Sequence, residues 1–204
     1  MNCRRRFAAI AIALALLAPE LRAQRSSDIV FVGSSIFRRW TALTSQMAPL
    51  RVRNVSMDGG ETYQMLGLLD VRVLPLEPKV VAYYAGSNDV DFDEAAGAIA
   101  GRVVQFIERL ETARPGTPFV FVSVMRSPDH EDRWTVIDEV NRQVAQYAAT
   151  HPLVHVVDVN PIFFDAKGKP RVDLYMPDGR HLRPAGYEQM ARIVKPVLES
   201  IAGS

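Results

Sequence analysis

Alternation restricts this chain more than any other feature. Short β-branched and aromatic runs recur along it, separated by segments with helical spacing. Asp28-Ile29-Val30-Phe31-Val32-Gly33 opens the series, and Arg51 to Val55, Lys79 to Ala85, Pro118 to Met125 and Val154 to Val159 continue it. Runs this short and this apolar read as strands buried on both faces. Between them, a helix is expected from about Ile36, and another after the Gly59-Gly60 turn, ending before Pro75. From Glu94 to Ala113, Ile99, Val103, Phe106, Ile107 and Leu110 fall on one helical face, and Arg114-Pro115-Gly116 stops the helix. Further helices are expected from about Asp132 to Thr150 and from Pro184 to Ile201, where Pro184 suits a first turn. Asp165 to Lys169 reads as a surface turn. Strands that alternate with helices give an α/β fold, here a three-layer α/β/α sandwich with a five-stranded parallel sheet.

The first residues stand apart from that pattern. Arg4, Arg5 and Arg6 precede an apolar run, Phe7 to Ala18, and Leu21-Arg22-Ala23 ends in a small residue. The run is too short for a stable span, so residues 1–23 read as a secretory signal peptide and residues 24–204 as one domain. The mature protein is expected in the periplasm or outside the cell, without a stable membrane anchor. Cleavage removes four arginines and Glu20, taking the formal charge from +1 to −2, which gives nucleic acid no basic surface to bind. The only cysteine, Cys3, leaves with the leader, so no disulfide or cysteine-held metal is expected.

In open parallel sheets, sites form beyond the carboxyl ends of the strands. Ser35 follows the first strand, Gly59 the second and Asn88 the third, while Asp178 and His181 follow the region of the fifth. Asp178 stands three residues before His181 in a turn-like setting, where it can accept from one ring nitrogen and leave the other to act as a base. Ser35 reads either as the nucleophile such a base would activate or as a helix N-cap. Gly59, next to Gly60, offers a backbone N–H or makes a plain turn. Asn88 offers a side-chain amide to an oxyanion or forms an Asx-turn. No other histidine has a carboxylate at that spacing: His130 lies in a polar segment, His151 ends a helix and His155 falls in a strand. Asp89, Asp91, Asp93 and Glu94 lack the glycine and ligand spacing of an EF-hand loop, and read as a solvated loop leading into a helix. Tyr83, Tyr84 and Trp134 read as packing residues.

Order and spacing carry more than any one of these signals. The chain resembles the SGNH/GDSL hydrolase family, whose members carry Ser, Gly, Asn and His in four blocks. Gly33-Ser34-Ser35-Ile36 is similar to the first block, Asn54 to Glu61 to the second, Gly86-Ser87-Asn88-Asp89 to the third and Asp178-Gly179-Arg180-His181-Leu182 to the last. The likeness runs from about Asp28 to Leu198. It departs at Ser34, where the family often has Asp, and at Ser56, where the second block often has Gly. The resemblance implies a flavodoxin-like SGNH fold and a serine esterase or acylhydrolase for small acyl or acetylated substrates. Ser35, His181 and Asp178 would be the catalytic residues, and Ser35, Gly59 and Asn88 the oxyanion donors. No metal or organic cofactor is implied, and the expected partner is a small-molecule or carbohydrate ester. Transfer of the acyl group to a sugar hydroxyl, as in an envelope O-acetyltransferase, and a non-catalytic carbohydrate-binding module are the alternatives.

Overall fold

The computed structural model describes residues 29–203; the leader expected at residues 1–23, with Cys3, lies outside the described residues. Five strands form one sheet: β1 (Ile29–Gly33), β2 (Val52–Asn54), β3 (Val80–Tyr84), β4 (Phe119–Val122) and β5 (Val154–Val157). Their order is β2-β1-β3-β4-β5, and every pair is parallel. Successive side chains of a strand point to opposite faces, so each strand supplies two layers. Ile29, Phe31, Val80, Ala82, Val120 and Val122 face one core, and Val30, Val32, Val81, Tyr83, Phe119 and Phe121 face the other.

The helices cover both faces. On the first lie α1 (Ser35–Arg38), α2 (Leu43–Met47) and the long C-terminal helix; on the second lie α3 (Thr62–Leu68) and two long helices. With α4 (Ser87–Asp91) after β3, those long helices are α5 (Ala96–Ala113), α6 (Trp134–Ala148) and, at the C-terminus, α7 (Pro184–Ala202). The α5 face is the one read from sequence: Ile99, Val103, Phe106, Ile107 and Leu110 are all buried. Each large apolar side chain withdrawn from water contributes about 1.5–3 kcal/mol before the entropy of ordering it is subtracted.

Two helical expectations need correction. The helix from Ile36 is not continuous: α1 ends after one turn and α2 begins at Leu43. Phe37, Trp40, Leu43 and Met47 nevertheless stay on the buried side. Trp40 holds the break by donating to Gln46 and stacking on Tyr187, ring centres 5.4 Å apart. The helix expected to end before Pro75 does not stop there either. It passes from α3 through a wider turn, Leu69–Val73, into a 3-10 turn, Leu74–Leu76, that contains Pro75. At the start of a new turn the N–H that proline lacks is not required.

The strand order fixes where a site can form. The chain lays β2 on one side of β1, then crosses to lay β3 on the other, so a crevice opens beyond Gly33 and Tyr84.

Candidate active site

Gly33 ends β1 against β3 so closely that a Cβ there would lie 2.1 Å from the Tyr84 carbonyl oxygen. Only glycine allows that approach. The Ser34 N–H then donates to the same carbonyl, and the chain turns directly into α1. Ser34 is the N-cap, and its side chain makes no capping bond, so the N-cap reading of Ser35 is overturned. Ser35 is the first helical residue, 4 % exposed, and its Oγ is 2.9 Å from Nε2 of His181. Tyr187 holds α1 from below by donating to the Ile36 carbonyl.

His181 arrives from a turn with its own local logic. Gly179 donates to the Met176 carbonyl, Pro177 supplies a fixed φ inside that turn, and Gly179 takes a φ of 68°. The Met176 N–H donates to the His181 carbonyl, and Tyr175 bridges to Leu182. One oxygen of Asp178 accepts the backbone N–H of Arg180 and of His181, and the other lies 2.7 Å from Nδ1 of His181. A carboxylate on Nδ1 fixes the proton there, which leaves Nε2 to accept the Ser35 hydroxyl proton.

The second and third blocks meet on the other side of the crevice. Beyond β2, Val55 donates to Phe31 and Met57 donates to Gly33, so the loop keeps following β1. Asn54 secures it, donating to the Phe37 carbonyl and accepting from the Ser56 N–H. Ser56, at the position where the family often has glycine, is buried under this loop. Asn88 is 7 % exposed and its amide donates to the Gly60 carbonyl at 2.9 Å, a contact across the crevice rather than a local Asx-turn. Gly59, the glycine singled out by sequence, is exposed with a φ of 66°, whereas Gly60 is buried between Met57 and Met65.

Sequence reasoning missed the charged framework around these groups. The acidic run is a solvated loop only in part. Asp89 is fully buried; it accepts from the Thr62 N–H, the Thr62 hydroxyl and Arg102, and Arg102 also pairs with Glu94. Asp91 pairs with Arg180, and the exposed Asp93 with Arg133. His130, read as part of a polar segment, is 3 % exposed, and its Nε2 lies 2.7 Å from Asp91. These partners are too distant in sequence for local patterning to reveal. The packing reading does hold for Tyr83 and Tyr84, both buried, and Trp134 packs edge-on against Phe164.

Sheet order and the Ser35–His181–Asp178 chain of contacts describe an SGNH-type α/β hydrolase scaffold. The chain belongs to the GDSL-like lipase/acylhydrolase family, whose model matches residues 25–189. Among curated proteins it is 25% identical over 186 residues to platelet-activating factor acetylhydrolase IB subunit alpha1 of Homo sapiens, covering 85% of this chain and 76% of that one. Among solved structures it is similar to a candidate acylhydrolase of Bacteroides fragilis NCTC 9343, with a TM-score of 0.77, 18% identity, and 90% and 94% of the two chains covered. It is also similar to a GDSL-like lipase of Bacteroides thetaiotaomicron VPI-5482, with a TM-score of 0.72, 20% identity and coverage of 87% and 90%. An acetyl esterase mutant solved with acetate ion matches with a TM-score of 0.68, 16% identity and coverage of 87% and 98%.

Proposed function

We propose that the protein is a serine esterase that hydrolyses esters of small acyl groups, acetyl foremost, through an acyl-enzyme. The observation that carries this reading is the unbroken chain from Ser35 Oγ to His181 Nε2, 2.9 Å, and from His181 Nδ1 to Asp178, 2.7 Å. His181 takes the Ser35 proton as Oγ attacks the acyl carbon. Asp178 stabilises the imidazolium and holds its tautomer. The Ser35 N–H and the Asn88 amide donate to the tetrahedral oxyanion; one N–H of Asn88 is spent on Gly60 and the other remains. A main-chain N–H of the Gly59-Gly60 turn completes the set, that of Gly59 by the family's block order. The C–O bond then breaks, His181 protonates the leaving alcohol, and water, deprotonated by His181, releases the acid and regenerates Ser35. Each oxyanion donor is worth on the order of a hundredfold or more in turnover.

Two of the similar proteins are an acetylhydrolase and an acetyl esterase by name, which supports acetyl esters as the substrate class. With a leader at residues 1–23, the substrate would be met in the periplasm or outside the cell.

The test is Ser35→Ala with p-nitrophenyl acetate. Turnover should fall by several powers of ten, on the order of 10⁶ where such a nucleophile is lost, with an unchanged far-UV circular dichroism spectrum. Labelling by a fluorophosphonate probe should disappear with it. Near wild-type turnover in the variant would overturn the assignment.

A further inference from the structure

Arg180 lies between Asp178 and His181 in sequence, but its side chain leaves the turn and reaches toward α4. Its guanidinium holds Asp91 with two parallel contacts, Nη1 to Oδ2 at 2.6 Å and Nη2 to Oδ1 at 2.9 Å. Its Nε donates to Asp129, which belongs to a 3-10 segment, Pro128–Arg133, ahead of α6. Asp91 is the last residue of α4, three positions after Asn88. The guanidinium therefore ties the turn that carries His181 to the helix that carries Asn88.

The rest of the cluster braces that tie. His130 holds the same Asp91 oxygen through Nε2, and Ser127 Oγ lies 2.6 Å from Asp129 and 3.2 Å from the other His130 nitrogen. Trp134 donates to the Ser127 carbonyl, which joins the 3-10 segment to α6. The charged and titratable groups that meet here are Asp91 from α4, Asp129 and His130 from the 3-10 segment, and Arg180 from the turn. Burial by itself would raise the Asp91 carboxyl, but the hydrogen bonds from Arg180 and His130 outweigh it and keep the group below the ordinary carboxylate range. Asp91 and Asp129, the two carboxylates that Arg180 holds, are 34% and 18% exposed, so solvent competes only partly for the fork. A bidentate guanidinium–carboxylate pair fixes orientation as well as distance, which a lysine cannot do.

We propose that Arg180 and Asp91 are positioning residues that lock the acid–base turn to the oxyanion helix, so that His181 and Asn88 keep one separation through turnover. The inference rests on the esterase reading of Ser35, His181 and Asn88. It assigns Arg180 no contact with substrate.

Arg180→Met, Asp91→Asn, the double variant and Arg180→Lys test it, each measured with p-nitrophenyl acetate per active site counted by fluorophosphonate titration. Misplacement of about 1 Å costs on the order of 10²-fold, so each single variant should lose roughly 10- to 100-fold in kcat with KM changed by less than about threefold. The double variant should be no slower than the slower single one, because both remove the same tie. Arg180→Lys should recover only part of the loss. A purely electrostatic role predicts something else: Arg180→Met and Asp91→Asn remove charges of opposite sign and would move the acid limb of kcat/KM in opposite directions. That result overturns the proposal. So does a kcat within about twofold of wild type in Arg180→Met, or a loss accounted for wholly by fewer titratable sites, which would make the role one of stability alone. Asp91→Asn keeps size and shape and carries the test if Arg180→Met does not fold. Activity in Ser35→Ala would instead sink the esterase reading itself.

Discussion

Burial would push the Asp178 carboxyl up, but the His181 ring N–H and the backbone N–H groups of Arg180 and His181 hold it down to about 2. Its folded value is depressed, so Asp178 is ionised throughout the range in which an esterase would be assayed and loses its charge only as the pH falls towards that value. Protonation of Asp178 therefore accounts for no loss of rate near neutrality. Asp178→Asn should lower kcat by roughly 10²- to 10⁴-fold, the upper end being the cost of a wrong tautomer in a buried triad. Removing a negative charge 2.7 Å from Nδ1 disfavours the imidazolium, so what activity is left should show its acid limb at lower pH. A pH–rate profile unchanged in position and height would remove Asp178 from the mechanism. Ser35, Asn88, Asp178 and His181 were legible in sequence because each lies in a short block, and the blocks come in a fixed order. Asp89, Asp91, His130 and Arg180 were not. Their charged partners lie 13 to 89 positions away, and an acidic run looks solvated until the fold delivers the arginines. The bond from Asn88 to the Gly60 carbonyl was equally hidden, because it joins residues 28 positions apart.

The junction of β1 with α1 fixes the attitude of Ser35. Gly33 pairs with Tyr84 in register, and Ser34 continues the ladder for one bond before the helix begins. A methyl group at Gly33 would meet the Tyr84 carbonyl, which is backbone and cannot rotate away, so the ends of β1 and β3 must part. Gly33→Ala should cost about 1–3 kcal/mol of overpacking and, by moving Ser35, on the order of 10²-fold in kcat. Gly101 offers the contrast: it is exposed within α5, and nothing lies within 4 Å of an added methyl group. Gly101→Ala should raise stability by about 0.5–1 kcal/mol through helix propensity and leave kcat unchanged. Thermal midpoints and kcat of the two variants check both statements, and a harmless Gly33→Ala would refute the close-approach argument. Long elements such as α5 and α7 were readable because periodicity accumulates over several turns. The one-turn α1 and the 3-10 segment at Pro128–Arg133 were not, because their boundaries are set by Trp40, Tyr187 and Arg180 from elsewhere in the fold.

Both cores depend on the same strands. Phe31 packs with Phe37 and Trp40 on one face of β1, while its neighbours Val30 and Val32 pack in the other layer with Met65 and Leu68. β3 and β4 divide their side chains in the same way. Neither layer can open without exposing the reverse side of the strands it shares, so the described fold should unfold as one unit despite having two separate cores. The protein's two tryptophans report on this from opposite faces: Trp40 lies in the layer of α1, α2 and α7, and Trp134 against the layer of α5 and α6. Leu198→Ala in α7 and Phe106→Ala in α5 each empty a fully buried position and should cost about 2–5 kcal/mol. If the layers are coupled, Leu198→Ala lowers the Trp134 transition as far as the Trp40 transition, and Phe106→Ala does the converse. At roughly 2–4 °C per kcal/mol for a chain of this size the shifts are readily measured. Fluorescence melts in Trp40→Phe and Trp134→Phe backgrounds isolate each reporter, and turnover of p-nitrophenyl acetate followed on the same ramp should vanish at the common midpoint. Two separated transitions, with each variant moving only its own, would show that the sheet does not couple its faces. The crevice between β1 and β3 would then owe its geometry to one layer alone.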